Sequence, residues 1–233
     1  MHDFNWFGWM SEHVNHGNIH VYTASFVALM LIIASFAYKF SLKSIDEEVV
    51  PTPGTSFKNI FQYAVESILG LMEGIIGHDA KKYFPLIGAL FIYVFINNLM
   101  GIIPGMLPAT ENINTNLAVS ITVFFYYNLV GIKEQGIVNY LKHFMGPIIF
   151  LAPLMLIIET ISHLVRPVAL AIRLFGNING DHVVLGIFSD LVPLGIPVIF
   201  LGLGLFVAFV QAFVFALLSS VYIGLSVAHE EHH

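Results

Sequence analysis

ETISHLVRPVALAIRLFGNINGDH, residues 159–182, sets a glutamate, two arginines and an aspartate inside a run that is otherwise apolar from 148 to 188. A charged side chain at the centre of a bilayer costs at least about 2.5–3.5 kcal/mol. The run is followed at once by residues 191–229, which contain no Asp, Glu, Lys or Arg. A bilayer core takes about 20 apolar residues per helix. Fully helical, each segment would measure on the order of 60 Å, twice the hydrocarbon thickness. Neither can stand upright and unbroken. They break, or they lie strongly tilted as a hairpin, with SDLVPLGIP (189–197) as the turn.

The rest of the chain fits that solvent. Charged residues make up only 10% of the 233 residues, hydrophobic residues 57%, and the mean hydropathy is +0.82. A soluble domain carries about 25% charged residues. Further spans are expected over 21–38, from 83 to a stop by Pro104, and over 116–132. Between the first two lies KFSLKSIDEEVVPTPGTS, a polar linker, and then residues 56–80. There Phe57, Ile60, Phe61, Ala64, Ile68, Leu71 and Ile75 recur at three- and four-residue spacing, while Glu66, Glu73 and Asp79 interrupt the run. That spacing predicts an amphipathic helix in the membrane interface. The expected fold is therefore all-α: a polytopic membrane protein of about five transmembrane helices plus one interfacial helix. One domain, 1–233, uses up the length, and no internal repeat is found.

All seven lysines (39, 43, 58, 81, 82, 133 and 142) fall in the loops between spans one and two and between spans three and four. The positive-inside rule then puts the N-terminal segment, 1–20, and Glu111 outside and the C-terminus inside. No basic region or small-residue cleavage site precedes the first apolar run, so no signal peptide is expected. There are no cysteines, which removes disulfide and thiolate chemistry.

At about 100° per residue, Glu159, His163, Arg166, Arg173, Asn177 and Asp181 fall within roughly 80° of arc. One face of one long helix is polar, which suits the wall of an aqueous pathway or a charged helix interface. The plainer reading of Arg166 and Glu159 is an interfacial snorkelling arginine and a structural ion pair. Arg173 lies too far along the segment for that account.

RPVALAIRLFGN (166–177), with Glu159 upstream, LGLGLFVAFVQAFVFALLSSVYI (201–223) downstream and FINNLMGIIPG (95–105) earlier, resembles subunit a of the bacterial F-type ATP synthases. The resemblance implies a proton-translocating stator subunit of the membrane sector, with two half-channels and no catalytic site of its own. It places the protein in the bacterial cytoplasmic membrane. Its implied partners are the c-ring proteolipids, the peripheral-stalk b subunits and membrane lipids; no nucleic acid and no cofactor is expected. Arg173 matches the family's essential arginine, which faces the c-ring carboxylate. Gln211 matches the glutamine on the facing helix, and Asn177 the polar residue one turn on. Glu159 matches a carboxylate of the cytoplasmic half-channel and Asn98 a polar residue near the periplasmic one. His163 and Arg166 join Glu159 in the pathway by their place on the stripe. In this reading residues 148–229 form the hairpin that faces the c-ring. The chain departs from some members: His182 stands where Glu or His is common, Gly204 where some have His or Glu, and Gly101 where some have Asp. Which of Asp181 and His182 serves the periplasmic half-channel stays open.

A secondary transporter or cation channel would also use an intramembrane arginine. It would be expected to show matched broken helices in two halves, and the charged stripe occurs once. HEEHH (229–233) satisfies the H-E-x-x-H zinc pattern at a terminus, without a third ligand, so no metal site is expected. His13, His16 and His20 read as a solvated turn. No P-loop pattern is present, so the chain alone should not hydrolyse ATP.

Overall fold

The computed structural model describes residues 6, 17–41, 57–103, 105–140, 151–191 and 195–227. The polar linker after Ser41, the HEEHH stretch, His13 and His16 lie outside the described residues.

Among the described residues six long helices follow in order: α1 (Ile19–Ser41), α2 (Phe57–Ile76), α3 (Ala80–Met100), α4 (Ile113–Gln135), α5 (Ala152–Leu191) and α6 (Ile196–Val227), with a 3-10 turn at Ala109–Glu111. Five of them, all but α2, are long and apolar enough to cross a membrane. The chain is thus a polytopic α-helical membrane protein. α2 has the amphipathic pattern expected of it: Ile68 and Met72 are buried against the bundle while Glu66 and Glu73 are exposed. It ends at Gly77, whose φ of 86° is open to glycine at little cost. α4 begins at Asn112, whose side chain accepts from the Asn114 amide at 2.9 Å, satisfying one of the orphan donors of the first turn.

α6 is the hub and packs on α2, α3, α4 and α5. Its buried positions Ala208, Ala212, Phe215, Ala216, Ser219, Ser220 and Ile223 recur at helical spacing and are mostly small. Small residues let backbones approach closely, and in lipid this packing replaces the hydrophobic effect between helices. Ser219 and Ser220 return their hydroxyls to carbonyls one turn back, at 2.8 Å each, so neither is left unsatisfied.

The two long segments are a hairpin of unbroken helices. α5 runs 40 residues, about 60 Å, and α6 runs 32, about 48 Å. Neither is interrupted at Pro167, which sits buried inside α5, or at Gly204. The chain reverses between Leu191 and Ile196, where Gly195 has φ 91°. Three contacts fix the register. Phe188 stacks on Phe200 at 4.5 Å, Asn177 bonds Gln211, and Arg166 lies over the Tyr222 ring at 5.4 Å. Each pair straddles residue 194 symmetrically, so the antiparallel register holds along the hairpin without a slip.

Candidate functional site

The polar stripe of α5 falls on the edge of its packed face. His163, Leu170, Leu174 and Ile178 are buried, Glu159, Arg166, Asp181 and His182 are half-buried, and Arg173 and Asn177 are exposed. The helix therefore presents its charges where packed protein meets an open surface, and they separate into two clusters.

The first cluster surrounds a cavity of 230 Å³ lined by Tyr127, Tyr140, Glu159, His163, Arg166 and Ser226, among others. Arg166 donates to Glu159 at 3.2 Å and its guanidinium lies over Tyr222. The pair is partly exposed, so its net contribution to stability is small. The anticipated ion pair is there, and it forms part of a cavity wall. His163 is held between the Phe124 and Tyr127 rings, at centroid distances of 5.1 and 5.3 Å, and its Nε2 is 2.8 Å from Asn128 Oδ1.

The second cluster lies past Arg173. A groove of 490 Å³ between α5 and α6 is lined by Gly176, Asn177, Gly180, Asp181, Phe206 and Gln211, among others. Asn177 Nδ2 donates to Gln211 Oε1 at 2.5 Å. Gln211 is 3% exposed, and its Nε2 has no hydrogen-bond partner among the described residues. A buried amide donor without a partner is costly and marks a place where polar chemistry is wanted. Beside the groove a recess of 30 Å³ brings together Asn98, Gly101, Asp181, His182 and Gly204. Asp181 lines both spaces. His182 Nδ1 is 3.5 Å from Glu111 Oε1, and Asn179 Nδ2 donates to the Glu111 carbonyl at 3.2 Å. Asn98 is buried; it accepts from Thr110 Oγ1 at 2.8 Å and donates to the Ala208 carbonyl at 3.5 Å. Gly101 makes room for the His182 ring: a Cβ there would sit 3.0 Å from Nε2.

Arg173 lines none of these spaces and separates them along α5. It is exposed on the chain surface, with no hydrogen-bond or ion-pair partner among the described residues. All nine residues singled out from the sequence are thereby placed. Glu159, His163 and Arg166 lie together, Asn98, Asn177, Asp181, His182 and Gln211 lie together, and Arg173 stands between the groups. Sequence reading passed over Asn128, Tyr140 and, as a site residue, Glu111. Each reaches the site from a distant part of the chain, and none has a local pattern to mark it.

Five helices long and apolar enough to cross a membrane, with polar cavities along the charged face of one of them, define the class of polytopic α-helical membrane proteins. Comparison with known proteins is more specific. The family described as ATP synthase A chain matches residues 20–224. "ATP synthase subunit a" of Bdellovibrio bacteriovorus is 46% identical over 227 residues, covering 97% of this chain and 99% of that protein. The proteins of that name from Geobacter sulfurreducens and a Sulfurihydrogenibium species are 43% and 42% identical, covering 87% and 88% of this chain and 84% and 94% of theirs. The chain belongs to the ATP synthase A chain family. Its role is that of a subunit of the membrane sector of an F-type ATP synthase.

Proposed function

We propose that the two clusters are offset half-channels and that Arg173 is the barrier and electrostatic partner between them. The exposed guanidinium, without a partner among the described residues and lying between two polar cavities, carries this reading. Arginine stays charged at physiological pH, so it repels a proton that would pass straight from one cavity to the other. It also attracts an ionised carboxylate and favours proton release there. On a rotating ring of c subunits, that carboxyl gives up its proton to the cavity at Glu159, His163 and Arg166. It takes another from the side of Asp181, His182 and Asn98. The neutral acid then enters lipid, and each proton crossing contributes about 2.3 kcal/mol per 100 mV. Asn177 and Gln211 flank Arg173 and orient the exchange. The open face of the α5–α6 hairpin lies against the c-ring, with the helices tilted in the bilayer, because their lengths exceed its thickness. The lysine distribution sets the Glu159 cavity on the cytoplasmic side and the His182 side on the periplasmic one. Peripheral-stalk b subunits hold the chain against rotation. The chain carries no nucleotide-hydrolysing site of its own.

The test is proton pumping by inverted vesicles, with assembly checked by co-purification of the c-ring and the soluble sector. Arg173→Ala should abolish ATP-driven pumping in an assembled complex and raise passive proton leak. Arg173→Lys should also fail, because a lysine releases its proton more readily when desolvated and lacks the planar fork. Arg166→Ala should lower coupling without abolishing it. Normal pumping by Arg173→Ala would overturn the reading.

A further inference from the structure

Asn128 sits in the middle of α4 and is used three ways. Its Nδ2 donates to the Phe124 carbonyl at 2.7 Å. Its Oδ1 is 2.8 Å from Tyr140 Oη and 2.8 Å from His163 Nε2. The first contact decides the amide's orientation. A carbonyl only accepts, so the atom facing Phe124 must be the NH₂, and the oxygen must face the tyrosine and the histidine. An amide oxygen has no hydrogen to give. His163 Nε2 must therefore carry one, and Tyr140 must point its hydroxyl hydrogen the same way.

We propose that Asn128, seconded by Tyr140, is a positioning residue of the first cavity: it fixes neutral His163 as the Nε2–H tautomer, so that protons join and leave this imidazole only at Nδ1. This rests on the half-channel reading above. The rings of Phe124 and Tyr127 hold the imidazole plane and the amide holds its edge. A histidine that relays a proton through itself takes it on one nitrogen and gives it up from the other. Here the second nitrogen faces an acceptor that cannot be protonated at any relevant pH. The imidazole instead gains one proton at Nδ1, from the Glu159 carboxyl or a hydronium, becomes an imidazolium, and returns by losing that same proton to water. It is a side store next to the Arg166–Glu159 pair and does not act as a link in a chain. Among the described residues, the charged and titratable groups around it include Glu159 and Arg166 on its own helix, Tyr127 on α4, Tyr140 beyond it and Tyr222 on α6.

The experiment uses the complete complex in lipid, with ¹⁵N-labelled histidine. The His163 signals are identified by subtracting the spectrum of His163→Gln. At a pH where the imidazole is neutral, the expected result is a lone-pair signal at Nδ1 and an N–H signal at Nε2. An Nδ1–H tautomer, or an even mixture, overturns the proposal without any mutant of Asn128. Asn128→Leu should mix the tautomers, and Asn128→Asp, which keeps the accepting oxygen, should restore the Nε2–H signature. Tyr140→Phe should leave the tautomer in place, because the amide oxygen remains. An Asn128→Leu complex with an unchanged tautomer also overturns the proposal. Normal pumping by Arg173→Ala would instead remove the half-channel reading and leave the tautomer result standing.

Discussion

Two glycines line the same recess, and a methyl group would meet different surroundings at each. At Gly101 a Cβ would come within 3.0 Å of both His182 Nε2 and Pro108 Cγ, and 3.3 Å from the Asn98 carbonyl. At Gly204 it would meet nothing within 4 Å. Gly101→Ala should therefore push the His182 ring away from Glu111, slow proton pumping, and cost about 1–3 kcal/mol of stability, the usual range for overpacking. Gly204→Ala should change pumping rate and thermal midpoint little. Equal effects at both positions would show that the recess is not shaped as described. At this scale the sequence told of single residues and not of their partners. Arg173, Asn177 and Gln211 stand out because a charge or amide in an apolar run needs a reason. Asn128 carries no charge and reaches His163 across 35 residues of chain. Glu111 reads as a loop acid until the 3-10 turn folds it against His182. Pairings of that kind depend on helix packing, which has no signature in one dimension.

Helices themselves were legible, because 20 apolar residues in a row leave the backbone few other solutions in lipid. Their ends were less so. α3 begins at Ala80, ahead of the expected 83, and stops at Met100, short of Pro104. Lys81 and Lys82 lie inside its first turn, and Lys82 reaches Glu134 at the end of α4, an ion pair that no span-finding rule anticipates. The choice between broken and continuous long helices was also open in the sequence. Pro167 removes one amide donor but leaves the rest of the α5 ladder intact, and neighbouring helices support it. The symmetric register about residue 194 gives a direct test in the cysteine-free chain. Phe188→Cys with Phe200→Cys should cross-link readily with a short bifunctional thiol reagent, since the two rings stack at 4.5 Å. Phe188→Cys with Val207→Cys should not, being two helical turns out of register. The opposite preference would mean that the hairpin is slipped.

Orientation belongs to the molecule as a whole. α4 offers a marker at each end: Asn114 is exposed in its first turn, and Asn139 is exposed just beyond its last. Asn114→Cys should react with a membrane-impermeant thiol reagent added to intact cells, and Asn139→Cys only after permeabilisation. The reverse pattern would turn the half-channels around. The bundle is also held together unequally. Because α6 touches α2, α3, α4 and α5, these four helices share one packing partner, with Tyr127 of α4, for one, set against its Tyr222. A ribosome delivers that element after the other five. Until residues 196–227 leave the exit tunnel, the earlier spans are threaded into the membrane but lack their keystone. Biogenesis then has a late commitment step, and chains stalled before Gly195 should be the natural prey of membrane quality-control proteases.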